Sequence, residues 1–218
     1  DVYKRQPQLV ENLSAISSSS VEELILNHPR ISIPQVPAAL LGEVAGKLQK
    51  LNLGLTYPTP EQSRAVLEAC ATSTTLKELS LTHSPLSSVP PQILAQAVSR
   101  LHKLDLSWTN STPQQCLAVL EGCASSTTLK ELSLKHSRLS TIPPPLLAPA
   151  VGSLHKVNLG WCRLRSDQCT AILGACASSS TLNDVDLSGL ANNLRGVSHQ
   201  ILRKAAENLQ EINLDNTR

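Results

Sequence analysis

The chain has 218 residues, enough for one large core or two small domains, and 41% of them are apolar. Aromatic residues make up only 2%, with no Phe and no Met, which excludes a thick aromatic core and leaves Leu, Ile, Val, Ala and Cys to fill many thin, equivalent layers. The formal charge is +2 with both signs scattered, offering no basic field for nucleic acid; no apolar run of about 18 residues exists to span a membrane.

Asp1 to Gln6, DVYKRQ, match the translation of a transposase adapter used in sequencing libraries and fit nothing in the pattern that follows. They are read as an adapter-derived scar, and residues 7–218 as a single repeat domain incomplete at both ends. From there the pattern L-x-x-L-x-L begins, with conservative swaps, at Val21, Leu48, Leu76, Leu101, Leu129, Leu154, Leu182 and Leu209, in steps of 27, 28, 25, 28, 25, 28 and 27. Two unit types alternate. The nonapeptide STTLKELSL stands at 73–81 and again at 126–134, as duplication of a two-unit block of 53 residues predicts.

Each unit reads as a strand and then a helix. In LKELSL the period of two turns Leu79 and Leu81 inward and Glu78 and Ser80 outward. The longer units continue into TPEQSRAVLEAC and TPQQCLAVLEGC, where Thr59 and Thr112 are N-caps, Pro60 and Pro113 take the first helical position, and Gln62 and Gln115 complete capping boxes. Cys116, Val119, Leu120 and Cys123 then share one helical face that points at the strands. The shorter units pass through SVPPQILAQAV and TIPPPLLAPAV, whose paired prolines end the strand and start a brief helix. Pro149 is predicted to cut the second of these short.

Eight such units resemble a leucine-rich repeat solenoid. The cysteine-bearing units of 28 residues are similar to the ribonuclease-inhibitor-like subfamily found in NOD-like receptors, and the LSSVPP units of 25 to shorter repeats with a Leu-x-x-Leu-Pro signature. The resemblance implies an α/β horseshoe with a concave parallel β-sheet and convex helices. It also implies a non-enzymatic protein-recognition module, as the sensing or regulatory region of a larger intracellular protein. Its alternatives are a free-standing ribonuclease-inhibitor-like scaffold or inhibitor and, below that, a regulator of a small GTPase. The family's turn Asn or Cys is here Thr56, Ser84, Thr109, Ser137 and Cys162, so a less regular hydrogen-bonded spine is expected.

Stacking also predicts what lies on the surface. The outward residue before the second Leu reads Glu23, Lys50, Glu78, Lys103, Glu131, Lys156, Asp184, Glu211, a ladder of alternating charge that would leave an acidic end at Asp184 and Glu211. Just past each strand the series runs His28, Leu55, His83, Trp108, His136, Trp161, so both tryptophans hold one position. Trp108 and Trp161 are candidate partner anchors, flanked by His83 and His136; against this stands simple copying of an edge-covering residue by duplication. His102 and His155 sit in the next strands as exposed structural residues. The six cysteines fall at spacings that a disulfide cannot close, which favours buried thiols in a reducing cytosol, and no zinc-ligand spacing appears. Ser, His and Asp recur as repeat positions without forming a unique catalytic set, so no catalytic residue, cofactor or metal is assigned.

Overall fold

The computed structural model describes residues 2–31, 33–189 and 191–218, with side chains from residue 8 onward. Helices and strands alternate along the chain: α1 (Val2–Ser17), β1 (Glu23–Ile25), α2 (Ala38–Lys47), β2 (Lys50–Asn52), α3 (Pro60–Thr72), β3 (Glu78–Ser80), α4 (Pro91–Val98) and β4 (Lys103–Asp105). They are followed by α5 (Pro113–Ser125), β5 (Glu131–Ser133), α6 (Pro144–Gly152), β6 (Lys156–Asn158), α7 (Ser166–Ser178), β7 (Asp184–Asp186), α8 (His199–Asn208) and β8 (Glu211–Asn213). The strands form one open parallel sheet in sequence order, and each helix packs on the helices before and after it. The scar reading of Asp1–Gln6 falls on Asp1 and on side chains outside those described.

The register is the one the repeat demands. Leu51, Leu79, Leu104, Leu132, Val157 and Val185 are partners across successive strands, and every one is buried. With the first and third Leu of the motifs and the inner faces of the helices they form one apolar core from Leu13 to Ala205. Because each layer presents the same Leu, Val and Cys positions to the next, no large ring is needed to fill the gap between sheet and helices.

Polar clamps tie the layers together. Thr59 and Thr112 cap α3 and α5 with full capping boxes. The box glutamines are themselves buried, and their amides reach back one unit: Gln115 Nε2 donates to Leu86 O at 2.6 Å and Val89 O at 2.8 Å, and Gln62 and Gln168 do the same for Ile33 and Val36 and for Leu139 and Ile142. These acceptors are carbonyls of the Pro-containing loops: Ile33 O, Leu86 O and Leu139 O also accept from the backbone of their own turns, whereas Val36 O, Val89 O and Ile142 O rely on the glutamine. At the other end of the long helices Ser73 Oγ accepts from Leu76 N at 3.1 Å and donates to Gly46 O of the preceding unit, and Ser126 and Ser179 repeat this. The repeated seam STTLKELSL is thus a C-terminal cap, a cross-unit clamp and a core strand in one stretch.

Pro149 corrects a prediction. Helix α6 runs through it to Gly152 and has nine residues, against eight in α4. Pro149 and Pro145, whose carbonyl loses its partner, both lie on the exposed side of the helix, so the lost hydrogen bond falls outside the packed core.

Candidate functional site

The turn that follows each strand carries the residues singled out on the rim. Leu55, His83, Trp108, His136 and Trp161 all adopt left-handed backbone, with φ of 62°, 61°, 61°, 62° and 59°. This conformation costs a side-chain-bearing residue about 1–2 kcal/mol. What it secures is continuation of the parallel ladder beyond the three-residue strands: His83 N donates to Ser107 O at 3.0 Å, Trp108 N to Lys135 O at 3.0 Å, His136 N to Gly160 O at 2.9 Å and Trp161 N to Ser188 O at 2.8 Å.

One strand spacing apart and all turned the same way, these rings stack. His83 lies on Trp108 with centroids 5.4 Å apart, Trp108 on His136 at 3.2 Å, and His136 on Trp161 at 5.5 Å, with interplanar angles of 12°, 23° and 5°. The next turn holds Gly189 at φ +105°, and a Cβ there would stand 2.6 Å from the Trp161 ring. Glycine is therefore required where the stack ends. His136 and the backbone at Gly189 cover the two faces of Trp161, so the stack offers ring edges to a partner rather than open faces. Trp108 is 46% exposed and Trp161 37%. His136 sits below the ordinary imidazole range because of burial between the rings, then the charges of Lys135 and His83.

The structure brings His83, Trp108, His136 and Trp161 together and leaves Asp184 and Glu211 apart, on β7 and β8 of the sheet face. The ladder residues are in register as expected. Ion pairs close in one direction only, from each lysine to the acid of the following unit: Lys50 to Glu78 at 3.3 Å, Lys103 to Glu131 at 2.7 Å, and Lys156 to Asp184. The ladder is thus three separate exposed pairs, each worth about 0.2–1 kcal/mol. Asp184 is already engaged, and its hydrogen bond to Lys156 raises the ammonium pKa; the acidic end narrows to Glu211. His102 is exposed, whereas His155 is half-buried with Nδ1 lacking a partner. All six cysteines are free and buried; desolvation pushes the thiols of Cys116 and Cys169 to about 11, those of Cys70, Cys123 and Cys176 to about 12, and that of Cys162 higher still.

Sequence reasoning did not find the cleft that continues this edge. It has a volume of about 990 Å³ and is lined by His136, Trp161, Arg163, Arg165, Arg195 and Arg218, among others. The available signal was alignment of the two halves of the duplication: Lys135, Arg138, Arg163 and Arg165 stand where the first copy has Thr82, Pro85, Asn110 and Thr112. Arg165 is held by Asp167, with Nη2 to Oδ2 at 2.8 Å, and this contact raises the guanidinium pKa and lowers that of the carboxyl.

Among known proteins no family model matches the chain, and no curated relative does. Solved structures do: the leucine-rich repeat-containing protein LegL7 from Legionella pneumophila matches over 95% of this chain and 69% of its own, at 20% identity and a TM-score of 0.51. The leucine-rich repeat protein LIC12759 from Leptospira interrogans matches over 86% of this chain and 53% of its own, at 18% identity and a TM-score of 0.49. The tropomodulin C-terminal domain of Caenorhabditis elegans covers 91% of this chain at 12% identity, with a TM-score of 0.38. The fold is a leucine-rich repeat solenoid.

Seen as a solenoid, its turn spine is irregular in the way the substitutions predicted. Thr56 and Thr109 donate only to their own turns, to Leu53 O at 2.7 Å and Leu106 O at 2.8 Å. Ser84 and Ser137 leave their hydroxyls without partners. Cys162 Sγ and Asn192 Nδ2 reach the preceding unit, at Leu134 O (3.0 Å) and Leu159 O (2.9 Å). No helix among the described residues is long and apolar enough to cross a membrane.

Proposed function

We propose that the chain is a non-enzymatic protein-recognition module, the sensing or regulatory repeat region of a larger intracellular protein, and that its partner docks on the sheet face and its turn edge. The observation that carries this reading is the one-sided burial of the sheet. Helices cover one face end to end, while the other presents rows of polar side chains at strand spacing beside the rigid His–Trp stack. Trp108 and Trp161 are the leading contact residues, with His83 and His136 holding them in place. Six buried thiols favour a reducing compartment, because nothing in their placement lets them pair.

The test is crosslinking of the purified chain in extract of its source cells, beside a Trp108→Ala/Trp161→Ala double variant. A partner captured by the first and lost from the second is the expected result. A wild-type chain that captures nothing, or a captured partner indifferent to the double change, would remove the reading or its choice of surface respectively.

A further inference from the structure

We propose that the arginine cleft at the turn edge docks an extended acidic segment of the partner protein, with Arg163 and Arg195 taking its carboxylates against the wall formed by Trp161. The proposal rests on the protein-recognition reading and adds the chemistry of the partner.

The cleft is assembled from three successive turns held in register. Asn193 N donates to Leu164 O at 2.9 Å, Leu194 N to Arg218 O at 2.7 Å, Arg218 N to Asn192 O at 3.1 Å, and Asn192 Oδ1 accepts from Leu164 N at 3.0 Å. Arg163, Arg195 and Arg218 are exposed on this frame, and among the described residues no carboxylate pairs with any of them. Arg165 differs: Asp167 and Ser140 O occupy its guanidinium, so it stiffens the wall and offers little charge. Unpaired guanidinium forks one turn apart match carboxylates on an extended chain, which they bind bidentately.

A further observation points the same way. The core of the two copies agrees almost residue for residue, yet the basic residues that the second copy gains, Lys135, Arg138, Arg163 and Arg165, gather on this edge.

A single-stranded nucleic acid would also meet arginines and a tryptophan, but the structure favours the peptide. Bases need open aromatic faces on which to stack, and both faces of Trp161 are covered. The exposed ring edge is the positive end of the aromatic quadrupole and suits carboxylates.

The test is fluorescence anisotropy of a fluorescein-labelled octapeptide alternating Glu and Ala, titrated with the 218-residue chain. Saturable binding is expected, weakening as salt rises. Arg163→Glu and Arg195→Glu should each weaken it about tenfold or more, and Arg203→Glu on α8, an equal charge change elsewhere, should not. Circular dichroism checks folding, and Arg163→Gln with Arg195→Gln replaces any reversal that unfolds. Absence of saturable binding, indifference to the cleft substitutions, or tighter binding of a labelled oligo-dT strand would each overturn the proposal. If a partner crosslinked to the wild-type chain is retained by the Arg163→Glu/Arg195→Glu variant, the cleft fails while the recognition module stands.

Discussion

The two copies of the duplicated block, residues 73–125 and 126–178, share their core and diverge along one edge. Leu76, Leu79, Leu81, Leu94, Cys116 and Cys123 recur as Leu129, Leu132, Leu134, Leu147, Cys169 and Cys176, all buried. Each copy must fit both the unit before and the unit after it, so a changed core volume would be felt in two interfaces. The turn edge meets no such demand. There Thr112, an N-cap, has become Arg165, which has no acceptor to cap α7; Gln168 Oε1 still accepts from Arg165 N at 2.8 Å, and Asp167 Oδ1 now accepts from Gln168 N at 3.0 Å. Copying preserved what stacking requires and left the edge open to take on charge.

The largest expected effect tests the shared part. Gln115→Ala and Gln168→Ala each leave one loop carbonyl unpaired, Val89 O or Ile142 O, and take one of two hydrogen bonds from a second, and should cost about 1–3 kcal/mol in urea unfolding. Equal losses would show that the copies use one clamp; a loss in only one would break the equivalence. Next comes the ring stack. Trp108→Ala removes contacts to two histidines and should cost about 1–3 kcal/mol, whereas Trp161→Ala removes one ring contact and should cost about half as much by thermal melting.

The divergent edge predicts smaller changes of opposite sign. Thr112→Ala should destabilise by about 1 kcal/mol through loss of its cap, while Arg165→Thr should stabilise by up to about 1 kcal/mol by restoring one, again read from urea unfolding. The smallest effect is in pH. Because His136 is held below its ordinary pKa, the unfolded chain binds its proton more readily. Its contribution to stability is therefore complete above about 6.5 and declines as the pH falls through that value. The melting temperature should drop slightly between pH 7 and 5, with part of the drop absent in His136→Gln.

Much of the solenoid was legible before any coordinates. The strand positions, the capping boxes at Thr59 and Thr112, the core face of α5 and the alternating charge rows follow from local periodicity, which eight repetitions amplify. Pro149 was misjudged because the rule against an interior proline concerns an isolated helix, and the exposed side of α6 relaxes it. The candidate site was only half visible. Repetition placed His83, Trp108, His136 and Trp161 in one column, but their stacking depends on a shared left-handed turn, and no sequence rule assigns that turn to Trp or His. Arg218 stands at the same distance from its motif as Arg163 and was open to view, whereas Arg195 lies four positions further along its unit and reaches the cleft only through the turn contacts of Asn192 and its neighbours.

Sequence alone determined the repeat, the number of layers and which side chains are buried, because burial in a stacked array repeats a local choice that a single unit already displays. Tertiary structure decided which way the lysines lean, that the tryptophans show edges instead of faces, and that four arginines share one cleft. Those outcomes depend on distances between units, and a distance across units is set by packing and turn geometry that no single unit contains.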